Sequence, residues 1–326
     1  MRAVPDAAVP FGAAPGLVGL LDTADRSTSA PSAPAVPRIG FTQRLATHRA
    51  AIERRIAELM DVRAESPSLL IAAARYAIAG PGKRLRPLLA MLAAEQFGDG
   101  PSPGTLEFGC ALEMVHAASL ILDDLPSMDD ARMRRGRPAC HRRFGEDVAV
   151  LAAVSLLNEA YGVAARASGL SGEQRLLLVE RLSGVIGFQG LAAGQIRDLH
   201  DRPPLEKRAL HDLNHHKTGM LFIAAVEGGA ITVGAGPDEL KAARDFGAAL
   251  GKAFQLLDDL VDAYDTAVAA GKDVGQDKDK ITLVSLLGFE GARTEVRRYV
   301  DAAVACVRGF EPGPLGLFAE ALLHRA

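Results

Sequence analysis

Apolar residues recur at helical spacing through almost the whole chain after its first forty residues, and this limits the folds available to it. In the first such segment, Leu45, Ile52 and Ile56 share one stripe of a helix. No segment shows the strict alternation that a half-buried strand needs. Ala and Leu, which favour helix, dominate the composition. We therefore predict an all-α fold, with a single large helical domain over residues 39–326.

The N-terminal segment, residues 1–38, differs in composition from the rest. It is rich in Ala, Pro, Ser and Gly, and prolines recur along it in positions that break a helix. We predict a disordered tail, with a short docking segment as the alternative.

Bulk properties exclude some functions and compartments. A net charge of −3 argues against a general nucleic-acid binder. The three cysteines lack metal-ligand spacing and are interpreted as reduced thiols of a cytoplasmic protein. We expect no apolar run to reach the length that spans a bilayer, and we therefore predict no transmembrane segment.

Two aspartate clusters, each preceded by an apolar run, carry most of the functional information. Carboxylates at the end of a buried segment are costly unless a cation neutralises them. Carboxylate oxygens suit Mg²⁺, which usually brings a substrate phosphate with it. The pattern therefore indicates a magnesium-dependent site for a diphosphate. The clusters contain Asp123, Asp124, Asp129 and Asp130 in the first, and Asp258, Asp259 and Asp262 in the second.

The two clusters differ in their expected geometry. Asp258 and Asp262 are four residues apart and lie on one helix face, where like charges repel unless a cation bridges them. In the first cluster Pro126 ends the helix, so Asp129 must return through a bend. Asp123 and Asp129 then become candidate ligands of a shared ion.

Basic residues lie in several loops around these clusters. Arg offers paired hydrogen bonds to phosphate and Lys a point charge. Together they predict two diphosphate sites, one bound through metal and one through Arg and Lys alone. The basic residues are Lys83, Arg84 and Arg86, then Arg134 and Arg135, then Lys217, and finally Lys272 and Lys280.

These motifs resemble the polyprenyl (isoprenyl) diphosphate synthase family, and within it the bacterial geranylgeranyl diphosphate synthases of carotenoid pathways. The resemblance covers roughly residues 40 to 310. The segments that carry it are Gly82-Lys83-Arg84-Leu85-Arg86-Pro87, the run from His116 to Asp130, Arg134-Arg135-Gly136-Arg137-Pro138, Phe144-Gly145-Glu146, Lys217-Thr218, Phe254-Gln255-Leu256-Leu257-Asp258-Asp259 and Gly271-Lys272-Asp273.

The resemblance implies an isoprenoid synthase type of helical bundle, a homodimer, and the condensation of isopentenyl diphosphate with dimethylallyl, geranyl or farnesyl diphosphate. It also implies a role for each matching residue. Mg²⁺ on the allylic diphosphate would be held by Asp123, Asp129 and Asp258, supported by Asp124, Asp259 and Asp262. The allylic diphosphate would contact Arg134, Lys217, Lys272 and Lys280. Isopentenyl diphosphate would contact Lys83, Arg86, His116 and Arg135. The developing cation would face Thr218 and Gln255.

Product length is predicted from the residues that precede Asp123 by one helical turn. Ser119 and Ala118 are both small, so a growing chain meets no wall there. We predict geranylgeranyl diphosphate as the product, with a floor deeper in the core, near Val115, Leu112 or Met91. Farnesyl diphosphate is the alternative product.

Two other functions share part of this pattern. A terpene cyclase would keep one aspartate cluster, but it normally carries an Asn/Ser/Glu metal site in place of the second and needs no isopentenyl diphosphate pocket. A non-catalytic synthase subunit would lose one cluster, whereas this chain keeps both.

Overall fold

The computed structural model describes residues 38–61, 67–200, 219–264, 283–310 and 313–323. This part of the chain is almost entirely helical, so the all-α prediction is confirmed. Residues 1–37, where we predicted a disordered tail, lie outside it. The helices are α1 Arg38–Asp61, α2 Ser68–Ile78, α3 Leu85–Phe97, α4 Pro103–Asp123, α5 Cys140–Phe144, α6 Glu146–Ala165, α7 Gly172–Ile186, α8 Leu191–His200, α9 Met220–Thr232, α10 Pro237–Tyr264, α11 Leu283–Val307 and α12 Pro314–Leu322.

The polar, Arg-rich sequence of residues 127–145 predicts a loop, but the structure forms a small hairpin within it. Strands β1 (Met133–Arg134) and β2 (Arg137–Pro138) pair antiparallel. The two residues between them, Arg135 and Gly136, both have positive φ, at 54° and 74°. Tight two-residue hairpin turns commonly require this backbone conformation. The hairpin therefore sets the direction in which Arg134 and Arg135 leave the backbone.

Local sequence explains several helix boundaries. Ser102 caps α4 by accepting a hydrogen bond from the Thr105 N–H at 3.2 Å, and Pro103 occupies the first helical position. The sequence predicts a long helical segment over residues 173–199 that is interrupted by glycines, and the structure divides it into α7 and α8. At Gly190 a Cβ would lie 1.9 Å from the Val185 carbonyl oxygen, so only glycine fits this break.

Helix α4 runs through the core and contacts α2, α3, α6 and α9. Phe108, Leu112 and Met114 on this helix are fully buried. Helix α9 approaches α3 so closely that a Cβ on Gly229 would lie 2.2 Å from the Ala90 carbonyl oxygen. Helix α10 packs against α9 and α11. Helix α9 therefore contacts both α4 and α10.

Three helical stretches of the described residues are long and apolar enough to cross a membrane, judged by length and composition: 103–123, 146–165 and 172–200. The expectation that no apolar run reaches this length is therefore wrong. In the first, 72% of the most apolar window is buried inside the protein, against 39% in the second and 22% in the third. The apolar character of α4 thus serves the core, whereas α6 presents much of its apolar surface outward.

Candidate active site

The first aspartate cluster bends back at the end of α4. The Met128 N–H donates to the Leu125 carbonyl at 2.9 Å, and the Asp129 N–H donates to the Asp123 carbonyl at 2.9 Å. The second bond fixes the backbones of Asp123 and Asp129 side by side although six positions separate them. Both residues are half-buried. The bend predicted from Pro126 is therefore present.

Asp124 has a different environment from its neighbours. It is 2% exposed, and Arg134 Nε donates to its two carboxylate oxygens at 2.9 and 3.2 Å. Burial raises the pKa of Asp124. The hydrogen bonds and charge of Arg134 act to lower this pKa, whereas the charge of Asp129 adds to the rise. Burial lowers the pKa of Arg134, but Asp124, Asp123 and Asp129 outweigh it and raise that pKa. Arg134 is thus the shared counter-ion of the cluster.

The second cluster lies near the end of α10. Asp258 and Asp259 are half-buried, and Gln255 Nε2 donates to Asp259 Oδ1 at 2.9 Å. This bond ties down the side chain that the resemblance directs toward the developing cation. Asp262 lies on the same helix, and its side chain is outside the described part of the structure.

The three cations at the start of α3 have separate roles. Arg84 is 2% exposed and binds Glu53 at 2.8 and 3.2 Å, Glu113 at 2.8 Å and the Gly80 carbonyl at 3.1 Å. Because its guanidinium is neutralised within the fold, Arg84 is not available to a ligand. Arg86 and Lys83 remain as the candidate ligand-binding cations of this segment.

Lys83 and Arg86 rest on aromatic rings from α9 and α10. Lys83 Nζ lies 5.5 Å from the centre of the Phe254 ring, and the Arg86 guanidinium lies 5.6 Å from that of Phe222. The two rings are 5.1 Å apart. Phe254 and Asp258 are four residues apart on α10 and so share a helix face. The aromatic pair therefore brings the basic segment next to the second aspartate cluster.

Arg86 connects the two regions electrostatically. Burial lowers the pKa of its guanidinium to about 10, whereas Glu113 and Asp258 act to raise it. Its Nε is buried and has no hydrogen-bond partner among the described residues. A buried hydrogen-bond donor without a partner costs free energy unless a ligand supplies an acceptor. Arg86 is therefore suited to receive an anionic oxygen.

His116 and Arg135 form the remaining wall of this basic region. Arg135 Nη2 donates to His116 Nε2 at 3.2 Å. Burial, followed by the charges of Arg86, Arg135, Arg134 and Arg84, holds the pKa of His116 well below 6.5. The imidazole is therefore neutral at physiological pH, with its proton assigned to Nδ1. It serves as an acceptor that orients Arg135.

The donor atoms at the two aspartate clusters fit Mg²⁺ chemically. Within the described ranges, no three His, Cys, Asp or Glu side chains lie close enough to hold a metal by themselves. Mg²⁺ usually binds through one or two carboxylates and completes its octahedron with waters and substrate phosphates. The backbone bond holds Asp123 and Asp129 side by side, so their carboxylates are the candidate pair. A metal site here would be completed only when a diphosphate is present.

An open cleft lies between α2, the end of α4 and the hairpin. Asp124, Arg134 and Arg135 line its polar side. The chain-length candidates Ala118 and Ser119 do not line it: Ala118 is fully buried, and Ser119 Oγ donates to the His116 carbonyl at 3.0 Å. The proposed floor residues are buried in the core; they are Val115, Leu112 and Met91.

Other chemistry-bearing groups near the site were not selected from the sequence. Gln195 Nε2 on α8 contacts Met128 Sδ in the first cluster at 3.7 Å. Asp198 is three residues further on and shares that helix face, so α8 offers one more carboxylate to this region. In the sequence, the pair Gly194-Gln195 in a glycine-rich stretch was the signal that could have indicated this part of the site. His141 on α5 is 6% exposed, and neither ring nitrogen has a hydrogen-bond partner among the described residues.

Several predicted site residues lie outside the part of the chain that the structure describes. They are Lys217, Thr218, Lys272 and Lys280. Residues 205–216, for which the helical pattern of the sequence predicts a further helix, lie outside it as well. The described site therefore contains the C-terminal ends of α4 and α10 and the basic residues of α3 and the hairpin.

Comparison with known proteins gives a consistent result. Residues 67–308 match the family profile described as Polyprenyl synthetase. The chain is 44% identical to the geranylgeranyl diphosphate synthase of Pantoea ananas over 80% of its length and 87% of the relative's. It is 35% identical to the farnesyl diphosphate synthase of Geobacillus stearothermophilus, over 82% and 91% respectively. A solved structure described as an FPP/GFPP synthase from Zymomonas mobilis superposes with a TM-score of 0.78 at 31% identity, covering 88% of this chain and all of that one. The chain belongs to the polyprenyl synthetase family.

Proposed function

We propose that the protein is a magnesium-dependent prenyltransferase that condenses isopentenyl diphosphate with an allylic diphosphate and releases geranylgeranyl diphosphate. The observation that carries the proposal is the position of Arg86. It is a buried guanidinium whose Nε has no hydrogen-bond partner among the residues that the structure describes, and the charges of Glu113 and Asp258 both act on it. A site rich in carboxylates and a site rich in guanidiniums therefore adjoin, as two diphosphates bound in different ways require.

The roles follow from the chemistry of each group. Asp123, Asp129 and Asp258 would hold Mg²⁺, which supplies charge neutralisation for the leaving allylic diphosphate. Arg134 lies against the first cluster and is placed to bind that same diphosphate. Burial of the surrounding helices excludes water from the allylic cation formed when the C–O bond breaks.

Isopentenyl diphosphate, the second substrate, would bind at the basic residues of α3 and the hairpin. Lys83, Arg86 and Arg135 would supply the cations for this substrate, beside the neutral His116. Isopentenyl diphosphate held there presents its double bond to the allylic cation. A new C–C bond forms, and the released diphosphate accepts the proton that is then lost. The named relatives support this chemistry, since both geranylgeranyl and farnesyl diphosphate synthases are among them.

The test is incubation of the purified protein with labelled isopentenyl diphosphate and each allylic primer, with and without Mg²⁺. We expect elongation that depends on Mg²⁺, with the twenty-carbon diphosphate as the main product. Chelation should abolish it and added Mg²⁺ restore it. A fifteen-carbon product would favour farnesyl diphosphate synthase. A cyclic hydrocarbon made without isopentenyl diphosphate would identify a cyclase, and no elongation with any primer would refute the proposal.

We also propose a homodimer that forms through α6. Val150, Leu151 and Val154 make an apolar stripe on this helix and are 39%, 57% and 55% exposed. The resemblance implies a homodimer, and a second copy of the chain would cover this stripe. Leu151→Glu with Val154→Glu should convert the dimer to a monomer in analytical ultracentrifugation. Leu69→Glu, at an equally exposed leucine on α2, is the control. A dimer that survives the double substitution would exclude this surface.

A cytoplasmic location is part of the same proposal. Cys110, Cys140 and Cys306 are free thiols, and the first two are buried. Burial raises the pKa of the Cys140 thiol to about 11 and Asp124 adds to the rise, so this thiol is unreactive at neutral pH. Unpaired cysteines are typical of a reducing compartment.

A further inference from the structure

Glu113 is a buried carboxylate on α4 to which the reaction assigns no role. It lies three residues before His116, so the two side chains share a helix face. It is 3% exposed and accepts a hydrogen bond from Arg84 Nη1 at 2.8 Å. A buried carboxylate is stable only where cations or donors compensate its charge.

Arg84 connects Glu113 to the turn that opens α3. Its backbone is left-handed, with φ 50° and ψ 37°. This conformation is uncommon for a residue with a side chain. The guanidinium also binds the Gly80 carbonyl at 3.1 Å, which closes the turn on itself. The ion pair with Glu113 therefore anchors the turn that carries Lys83.

The charge of Glu113 also reaches the ligand-binding arginines. Burial lowers the pKa of Arg86 and of Arg135, and in both cases Glu113 is the foremost opposing influence. Arg135 lowers the pKa of Arg86, so the two cations repel each other. The charge of Asp258 acts to raise the pKa of Arg86, and that of Asp124 acts to raise the pKa of Arg135. The charge of Glu113 acts to raise the pKa of both arginines and also that of Arg84.

We propose that Glu113 is a positioning residue for isopentenyl diphosphate, which holds the α3 turn through Arg84 and keeps Arg86 and Arg135 together in the absence of ligand. It touches neither substrate. The inference rests on the proposed function and assigns this carboxylate to only one of the two diphosphates. The allylic site has its own counter-ion pair, Asp124 with Arg134.

The test compares Glu113→Gln, Glu113→Asp and Glu107→Gln. Glu107 is a matched control because it lies on the same helix, is 7% exposed and pairs with Arg55 at 2.5 Å and the Ser168 N–H at 2.7 Å, away from the site. We expect Glu113→Gln to raise KM for isopentenyl diphosphate about tenfold, the scale of a lost charge-assisted hydrogen bond, with KM for the allylic diphosphate nearly unchanged. Glu113→Asp should give a smaller rise. Glu107→Gln should lower Tm and leave both KM values unchanged.

The same proteins are titrated calorimetrically with isopentenyl diphosphate in the absence of Mg²⁺ and primer. Weaker binding by both Glu113 variants, but not by Glu107→Gln, supports the inference. Wild-type affinity in a folded Glu113 variant, or an equal rise in both KM values, overturns it. If Glu113→Gln does not fold, Glu113→Asp decides by the same criteria. Failure of the wild-type protein to bind isopentenyl diphosphate and to elongate any primer would instead refute the proposed function, and the inference with it.

Discussion

Arg134 Nε donates to both carboxylate oxygens of Asp124, at 2.9 and 3.2 Å, across the gap between the end of α4 and strand β1. The pair fixes the hairpin against the first aspartate cluster. It also holds the guanidinium where the charges of Asp123 and Asp129 act on it. The residue that we propose binds the leaving diphosphate is thereby oriented before any substrate arrives.

Replacing Arg134 with lysine should preserve the charge and lose the paired hydrogen bonds. Lysine offers a point charge without the planar fork, so its position above Asp124 is no longer fixed. We expect kcat/KM for the allylic diphosphate to fall about 100-fold in steady-state assays. Arg142→Lys is the control, since Arg142 pairs with the exposed Asp130 at 2.8 Å. Equal activities of the two variants would contradict the role assigned to Arg134.

Replacing Asp198 with asparagine tests the carboxylate on α8. Gln195 on the same face contacts Met128, which places this helix beside the first cluster. We expect activity at limiting Mg²⁺ to fall roughly 10- to 100-fold, with partial recovery at high Mg²⁺. The measurement is initial rate against Mg²⁺ concentration. Glu173→Gln, at an exposed position in the first turn of α7, should behave as wild type. If the dependence of rate on Mg²⁺ concentration is the same for the Asp198 variant as for wild type, Asp198 does not contribute to the metal site.

Replacing His116 with glutamine should reduce the sensitivity of the protein to acid. The pKa of His116 lies well below 6.5, so between that folded pKa and about 6.5 the unfolded chain binds a proton that the folded chain does not. The free energy of unfolding therefore falls as the pH drops through this window. Urea unfolding between about pH 7 and pH 5 should show a shallower decline for the variant. Parallel declines would mean that His116 is not held neutral.

Replacing Ala118 with tyrosine tests the predicted control of chain length. Ala118 is fully buried one turn before Asp123, so an aromatic ring there would shorten any cavity below the cluster. We expect the main product to change from twenty to fifteen carbons, measured by chromatography of the dephosphorylated prenols. Ser119→Tyr, at a half-buried site, is the companion variant if overpacking at Ala118 costs about 1–3 kcal/mol of stability. If both variants make products as long as those of wild type, the prediction that a cavity at these residues sets the product length is wrong.

Helix identity follows well from local pattern, and helix ends follow where a capping group is local too. The Ser102 cap and Pro103 are neighbours in sequence, so α4 begins where its residues indicate. The hairpin was missed because two-residue strands carry almost no alternation. The division of the predicted helix at Gly187 to Gly190 depends on the close approach of Gly190 to the Val185 carbonyl, which glycine spacing alone does not reveal.

The sequence alone determined the helical class, the two aspartate clusters and the bend between Asp123 and Asp129, because periodicity and a proline act over a few residues. Only the tertiary structure decided which cations are free to bind a ligand. Arg84 and Arg86 are two positions apart, yet Glu53 and Glu113 neutralise the first, whereas Nε of the second has no hydrogen-bond partner in the described part of the chain. Those carboxylates lie 31 and 29 residues away from Arg84 in sequence. Charge compensation depends on distance in space, so it becomes visible only once the helices are packed.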